Sequence, residues 1–196
     1  MSTETRTRLL TEAEIVVRRL GYAGFSYADL AERVGLRKAS IHYHFPTKED
    51  LGFALVVSYT ERFAAALADI TASTPSASGR LDGYAELYRS GLQAKQGCLC
   101  GVLASELIGL PDRIRTKVQH FFKVNADWLE GVVSDGQADG SFRSDLNARS
   151  LGVTVLAGLQ GAMVIGQALA SIEAFDDVTA SLAGLRRPLN PQEQRA

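Results

Sequence analysis

The chain is predicted to be all-α, and three observations predict it. Apolar residues recur at helical spacing in nearly every segment. No segment sustains the period-two alternation of a half-buried strand. Hydroxyl residues, prolines and glycines stand where helices start and stop. About nine helices are expected from this punctuation: three N-terminal ones and a larger helical set after them.

Residues 4–20 place Leu9, Leu10, Ala13, Val16, Val17 and Leu20 on one face, and Gly21 stands where a C-cap glycine belongs. Ser26 opens a Ser-x-x-Asp box with Asp29, capping a helix that runs to about Val34. Gly35 supplies the turn into a third helix from about Arg37 to His44, which Pro46 obliges to stop. Thr47-Lys-Glu-Asp50 is a second box and opens a long helix to about Ile70. Residues 71–80 read as a loop from their Ser, Thr, Pro and Gly content. Helical register returns at 81–95 through Leu81, Tyr84, Ala85, Tyr88 and Leu92, and a shorter helix is expected at 100–108 after Gly97. Pro111 suits the first turn of a helix carrying Ile114, Val118, Phe121, Phe122, Trp128, Leu129 and Val132. Asp135-Gly136 and Asp139-Gly140 end it, and helices at 147–171 and 173–186 complete the fold. Residues 187–196 read as a frayed tail.

With 46% apolar and 22% charged residues, the composition excludes disorder of the whole chain. The net charge of −1 shows no global basic excess, but the excess is local. Between residues 33 and 48 stand Arg33, Arg37, Lys38 and Lys48 without an acid, together with His42 and His44. Polar residues 1–8 do not read as a signal peptide. The apolar run 151–170 is long enough to span a bilayer, yet its glycines, Thr154, Gln160 and Gln167 fit a helix buried in a bundle better. Cys98 and Cys100 cannot staple a fold of this size. A cytoplasmic protein without a membrane partner is expected.

Four motifs then fall in order: Arg19-Leu-Gly-Tyr22, Ser26-Tyr-Ala-Asp-Leu-Ala31, Val34-Gly-Leu-Arg-Lys-Ala-Ser-Ile-His-Tyr-His-Phe45 and Thr47-Lys-Glu-Asp-Leu51. Together they resemble the N-terminal domain of the TetR family of bacterial transcriptional regulators, over residues 8–51. The resemblance implies a DNA-binding helix-turn-helix domain at 1–46 and a ligand-binding and dimerisation domain at 47–186. It implies a homodimeric repressor, a pseudo-palindromic double-stranded operator and a small-molecule effector. An activator or an auxiliary protein is the variant reading of the same head.

Within that frame the third helix lies in the major groove. Arg37, Lys38, Ala39, Ser40 and His42 are candidate contacts to bases or phosphates, and Tyr43 matches a phosphate-contacting position of the family. Lys48 and, at the start of the second helix, Ser26 and Tyr27 are candidate phosphate contacts. His44 and Phe45 are expected to pack the short helix into its core. Two residues depart from the family pattern. Arg37 replaces the usual capping hydroxyl, and His42 stands where tyrosine is common.

Candidate effector contacts are Tyr84, Tyr88, Cys98, Glu106, His120, Phe121 and Trp128, polar and aromatic residues on helical faces. Small residues along 151–170 (Gly152, Ala157, Gly158, Gly161, Ala162, Gly166) fit either close packing within one subunit or a dimer face. The segment Gly97-Cys-Leu-Cys-Gly101 with Ala104-Ser-Glu106 is similar to one in a TetR subgroup with electrophile-sensing or redox-sensing members. That makes a cysteine-based sensor, through Cys98 or Cys100, the alternative. A Cys-x-Cys pair supplies two metal ligands where structural zinc takes four, so neither a metal nor a cofactor is expected. An enzyme is not expected either, because no nucleophile–base set surrounds any of the three histidines.

Overall fold

A computed structural model describes residues 3–186 of the chain; the expected tail at 187–196 lies outside them. Among the described residues nine α-helices and one short 3₁₀ turn make up the regular structure, and no strand occurs.

The first helix, α1 (Thr3–Gly24), buries Leu9, Leu10, Ala13, Val16 and Val17, while Leu20 is half exposed. Gly21, at φ 75° and ψ 171°, breaks the helical path near the end of α1, where the sequence places its C-cap. In α2 (Tyr27–Val34) both halves of the Ser26–Asp29 box form, and Gly35 closes the helix in the left-handed conformation at φ 67°. A residue with a Cβ is strained there, so glycine makes the turn. Next comes α3 (Lys38–His44), with Arg37 at its N-cap offering no side-chain cap. The second box opens α4 (Lys48–Ser73), where Asp50 accepts from Thr47 N–H at 3.2 Å and Thr47 Oγ1 accepts from Asp50 N–H at 3.0 Å.

The expected loop at 71–80 is much shorter in the structure. Helix α4 continues to Ser73 and α5 (Ala77–Gln93) starts four residues later. Two local bonds account for the difference. Ser73 Oγ donates back to Asp69 O at 2.7 Å inside the helix, and Ser76 Oγ caps α5 by accepting from Gly79 N–H at 3.2 Å. Hydroxyl residues here serve the helices rather than interrupt them.

Helix α6 (Leu99–Ser105) is followed by the 3₁₀ turn Leu107–Gly109 and by α7 (Asp112–Ala138). Asp135-Gly136 lies inside α7, and the chain leaves the helix only before Gly140, at φ 76°. Asn147 then caps α8 (Ala148–Leu169), and α9 (Ile172–Arg186) ends the described chain.

The helices group into two compact units. One runs through Phe63 and includes Gln96–Phe122; the other holds Ala64–Lys95 and the described residues from Lys123 onward. In the first unit α1 packs on α2 and α6, and α2 packs on α3. Its core includes Leu30, Ile41, Phe45, Leu51, Leu55, Tyr59, Leu103, Ile114 and Phe121. In the second unit α5, α8 and α9 pack on one another. The small residues of α8 divide between two roles. Gly152, Ala162 and Gly166 are buried, and a Cβ on Gly152 would stand 3.1 Å from Glu130 N. Ala157 and Gly161 face outward, next to the exposed Val153, Val164, Ile165 and Leu169.

Candidate nucleic-acid interface

Helix α3 is only seven residues long, too short to hold its shape alone. Its surroundings fix it. Ile41 is fully buried and Phe45, at its C-cap, is nearly so. From α1, Arg8 Nη2 donates to Val34 O at 3.0 Å, which satisfies a carbonyl at the end of α2, and Glu12 pairs with Arg33. Exposed on the outer side are Arg37, Lys38, Ala39, His42 and Tyr43, the last 79% exposed, with Ser40 half-buried beside them. Lys38 and His42 are four residues apart, as are Ala39 and Tyr43, so each pair shares a helical face. Among the described residues neither Arg37 nor Lys38 forms an ion pair. Arg6 adds a cation at the other end of α3, with its guanidinium 5.0 Å from the Phe45 ring centroid. Arg6 lies outside the short motifs of the sequence, and only the fold of α1 brings it here.

The structure repositions several expected DNA contacts. Tyr27 is buried, and its hydroxyl lies 2.8 Å from Phe45 O and 2.6 Å from Thr47 O. Burial, and then the Asp50 carboxylate, push its pKa up to about 12, so the hydroxyl stays a donor. Its proton is spent inside the protein. Ser26 Oγ likewise donates to Asp29 Oδ2 at 2.6 Å, and that bond holds the Asp29 carboxyl below its ordinary pKa. Lys48 Nζ points to Ala23 O at 3.4 Å and lies 4.7 Å and 5.4 Å from the Tyr22 and Phe25 ring centroids. Its burial lowers its pKa. Phe45 packs as expected, whereas His44 is only half-buried, edge-on to Tyr43.

The expected effector residues separate into groups. Tyr84, Tyr88 and Trp128 come together in the second unit: Tyr84 stacks on Trp128 at 5.5 Å and tilts against Tyr88 at 5.3 Å. A chain of hydrogen bonds runs through them. Gln160 Nε2 donates to Tyr88 Oη at 3.1 Å, the Tyr88 and Tyr84 hydroxyls meet at 3.2 Å, and Tyr84 Oη donates to Asn125 Oδ1 at 2.9 Å. Asn125, 1% exposed, and Gln160 are the partners that sequence reading missed. A polar residue four after Phe121 on the apolar side of a helix was the available signal.

Cys98 and Phe121 belong to the first unit, around Tyr59. The Tyr59 hydroxyl lies 3.6 Å from Cys98 Sγ, and the Tyr59 and Phe121 rings are 5.5 Å apart. Both cysteines are buried, and burial pushes the Cys100 thiol far up, which makes it a poor nucleophile. Glu106 is bound to α1 instead of a ligand site, since its Oε2 accepts from Ala23 N–H at 2.9 Å. His120 is exposed on α7. Neither joins the aromatic group. No cluster of three or more metal-ligating side chains occurs among the described residues.

These features define a helix-turn-helix head with an outward cationic helix, joined to a larger helical part. The profile described as "Bacterial regulatory proteins, tetR family" matches residues 9–55, and "Tetracyclin repressor-like, C-terminal domain" matches residues 77–182. The chain belongs to the TetR family. A TetR-family transcriptional regulator from Agrobacterium tumefaciens is 31% identical in a solved structure, which covers 94% of this chain and 98% of that one with a TM-score of 0.91. A TetR regulator from Legionella pneumophila is 27% identical over 95% and 98% of the two chains, with a TM-score of 0.85. The curated repressor DhaR of Mycobacterium sp. (strain GP1) is 28% identical over 164 residues, 83% of this chain and 82% of that protein.

Proposed function

We propose that the protein is a sequence-specific transcriptional repressor whose α3 reads an operator in the major groove and whose C-terminal part answers a small molecule. One observation carries the reading: Arg37, Lys38, Ala39, His42 and Tyr43 are exposed together on a short helix that α1 and α2 hold in place. Residues 1–46 form the reading domain and residues 47–186 the sensing and dimerisation domain. A second copy is expected to cover the outward face of α8, where Val153, Ala157, Gly161, Val164 and Ile165 recur at helical spacing, together with Ala180, Ser181 and Gly184 of α9. Two reading helices related by a two-fold axis would meet successive major grooves, about 34–36 Å apart, and ask for a pseudo-palindromic operator.

The effector is expected at the Tyr84–Tyr88–Trp128 group, where aromatic walls carry a line of hydrogen-bonding groups. It releases DNA only by binding the non-reading arrangement of the dimer more tightly than the reading one. A regulator of chromosomal DNA works in the cytoplasm. Helices α4 and α8 are long and apolar enough to cross a membrane by length and composition, and here both take part in the fold that the family shares.

Gel-shift titration of the wild type and Arg37→Ala on DNA upstream of the gene, at two salt concentrations, tests the reading. Arg37→Ala is expected to weaken specific binding by about 1–3 kcal/mol while binding to unrelated DNA stays the same. Wild-type binding without sequence preference would refute the proposal.

A further inference from the structure

We propose that His42 is a base-selective reader for an exocyclic amino group, adenine N6 or cytosine N4. This rests on the reading of α3 as the groove helix. His42 Nδ1 lies 3.0 Å from the carbonyl oxygen of Pro46, four residues on. A carbonyl only accepts, so Nδ1 carries the hydrogen. The ring also lies against Tyr27, with centroids 4.7 Å apart and planes at 59°. Tyr27 is itself held by its hydroxyl bonds to Phe45 O and Thr47 O. The imidazole is thus held by a hydrogen bond on one nitrogen and by a ring contact.

A neutral imidazole has a single N–H. With that hydrogen on Nδ1, the Nε2 of exposed His42 carries a bare lone pair. The lone pair decides what it meets in a groove. Phosphate oxygens, guanine O6 and N7, and thymine O4 are all acceptors and repel it. The donors in the major groove are adenine N6–H₂ and cytosine N4–H₂. Here the departure from tyrosine has chemical content, because a tyrosine hydroxyl donates to a phosphate whereas the neutral form of this histidine has no hydrogen left to give one. Lys38, four residues earlier, carries only donors and asks for the opposite, guanine or phosphate. Adjacent positions on one face of α3 therefore ask for bases of opposite hydrogen-bonding character.

Two measurements on the full-length protein test this. Nitrogen NMR of the histidine side chains at pH 8.5 is expected to show His42 protonated at Nδ1 and bare at Nε2; a hydrogen on Nε2 overturns the inference. Selection from randomised duplexes at the same pH, with the wild type and three variants, reads the base. The wild type is expected to enrich adenine or cytosine at one position of each half-site. His42→Gln narrows that position to adenine, His42→Lys moves it to guanine, and His42→Ala loses roughly 2- to 12-fold of discrimination there, the worth of one neutral hydrogen bond. A wild-type motif that survives unchanged in all three variants, or a loss in His42→Ala that is uniform over all sequences, overturns the inference and leaves the repressor reading intact. A wild type that enriches no motif overturns the repressor reading itself.

Discussion

Replacing Tyr27 by phenylalanine removes one oxygen atom and keeps the ring that packs beside Phe25 and His42. That oxygen lies 2.8 Å from Phe45 O and 2.6 Å from Thr47 O, the carbonyls on either side of Pro46. The hydroxyl therefore ties the end of α3 to the start of α4. It is buried, so phenylalanine leaves the Phe45 carbonyl without this donor in a place water does not easily reach. The cost is about 1–3 kcal/mol, the desolvation penalty of an orphaned acceptor. Thermal unfolding should show the loss directly. Operator affinity should fall as well, since α3 loses part of what orients it. The slope of log affinity against log salt should not change, because no phosphate contact has gone. An unaltered melting temperature with a slope shallower by about 0.9 would refute the reasoning, and would make Tyr27 a phosphate anchor.

Three further outcomes are expected. Gly35→Ala should destabilise the protein by about 1–2 kcal/mol in denaturant titration, because φ is 67° and a Cβ would meet no atom within 4 Å, so the cost is torsional. The Asp29 and Asp50 carboxyls are held below their ordinary value of 3.8, chiefly by the Ser26 and Thr47 hydroxyls. A depressed folded pKa contributes stability that is present above the unfolded value and is lost as pH falls through the folded one. Asp29→Asn and Asp50→Asn should therefore flatten the acid limb of a stability–pH curve, below the unfolded value, and an unchanged limb in both would sink the assignment. In the second unit, Tyr84→Phe should cost about 0.5–1.5 kcal/mol by removing a donor to Asn125 Oδ1, whereas Tyr84→Phe with Asn125→Leu should cost less than the sum of the two single changes. Additive costs in that double-mutant cycle would show that the two residues are not coupled.

What was legible in the sequence was local. The Ser26–Asp29 and Thr47–Asp50 boxes, the turn at Gly35 and the stop before Pro46 each depend on residues within four positions, and the structure contains all of them. The same locality misled at 71–80, where hydroxyl composition reads as loop, although Ser73 bonds back into α4 and Ser76 caps α5. Roles set by distant partners were out of reach. Nothing near Tyr27 in the sequence shows that its hydroxyl will meet carbonyls at 45 and 47, and nothing near Glu106 points to Ala23. The expected effector set mixes residues of two different units for the same reason: helical spacing identifies a face but not what the face meets. Asn125 shows the converse, since a polar side chain on an apolar face is visible in the sequence, and only packing shows that Tyr84 satisfies it.

The end of α1 is held through the main chain of a single residue, Ala23. Glu106, where α6 gives way to the 3₁₀ turn, accepts the N–H of Ala23, and Lys48, in the first turn of α4, approaches its carbonyl. Both groups on residue 23 are main chain, and its methyl takes no part. The tether thus carries no signature at the position it holds: a residue of any type with an N–H serves, and proline alone severs the first bond. Its chemical identity is written on residues 25 and 83 positions away, as one cation and one anion gripping the two successive amides that flank the same Cα.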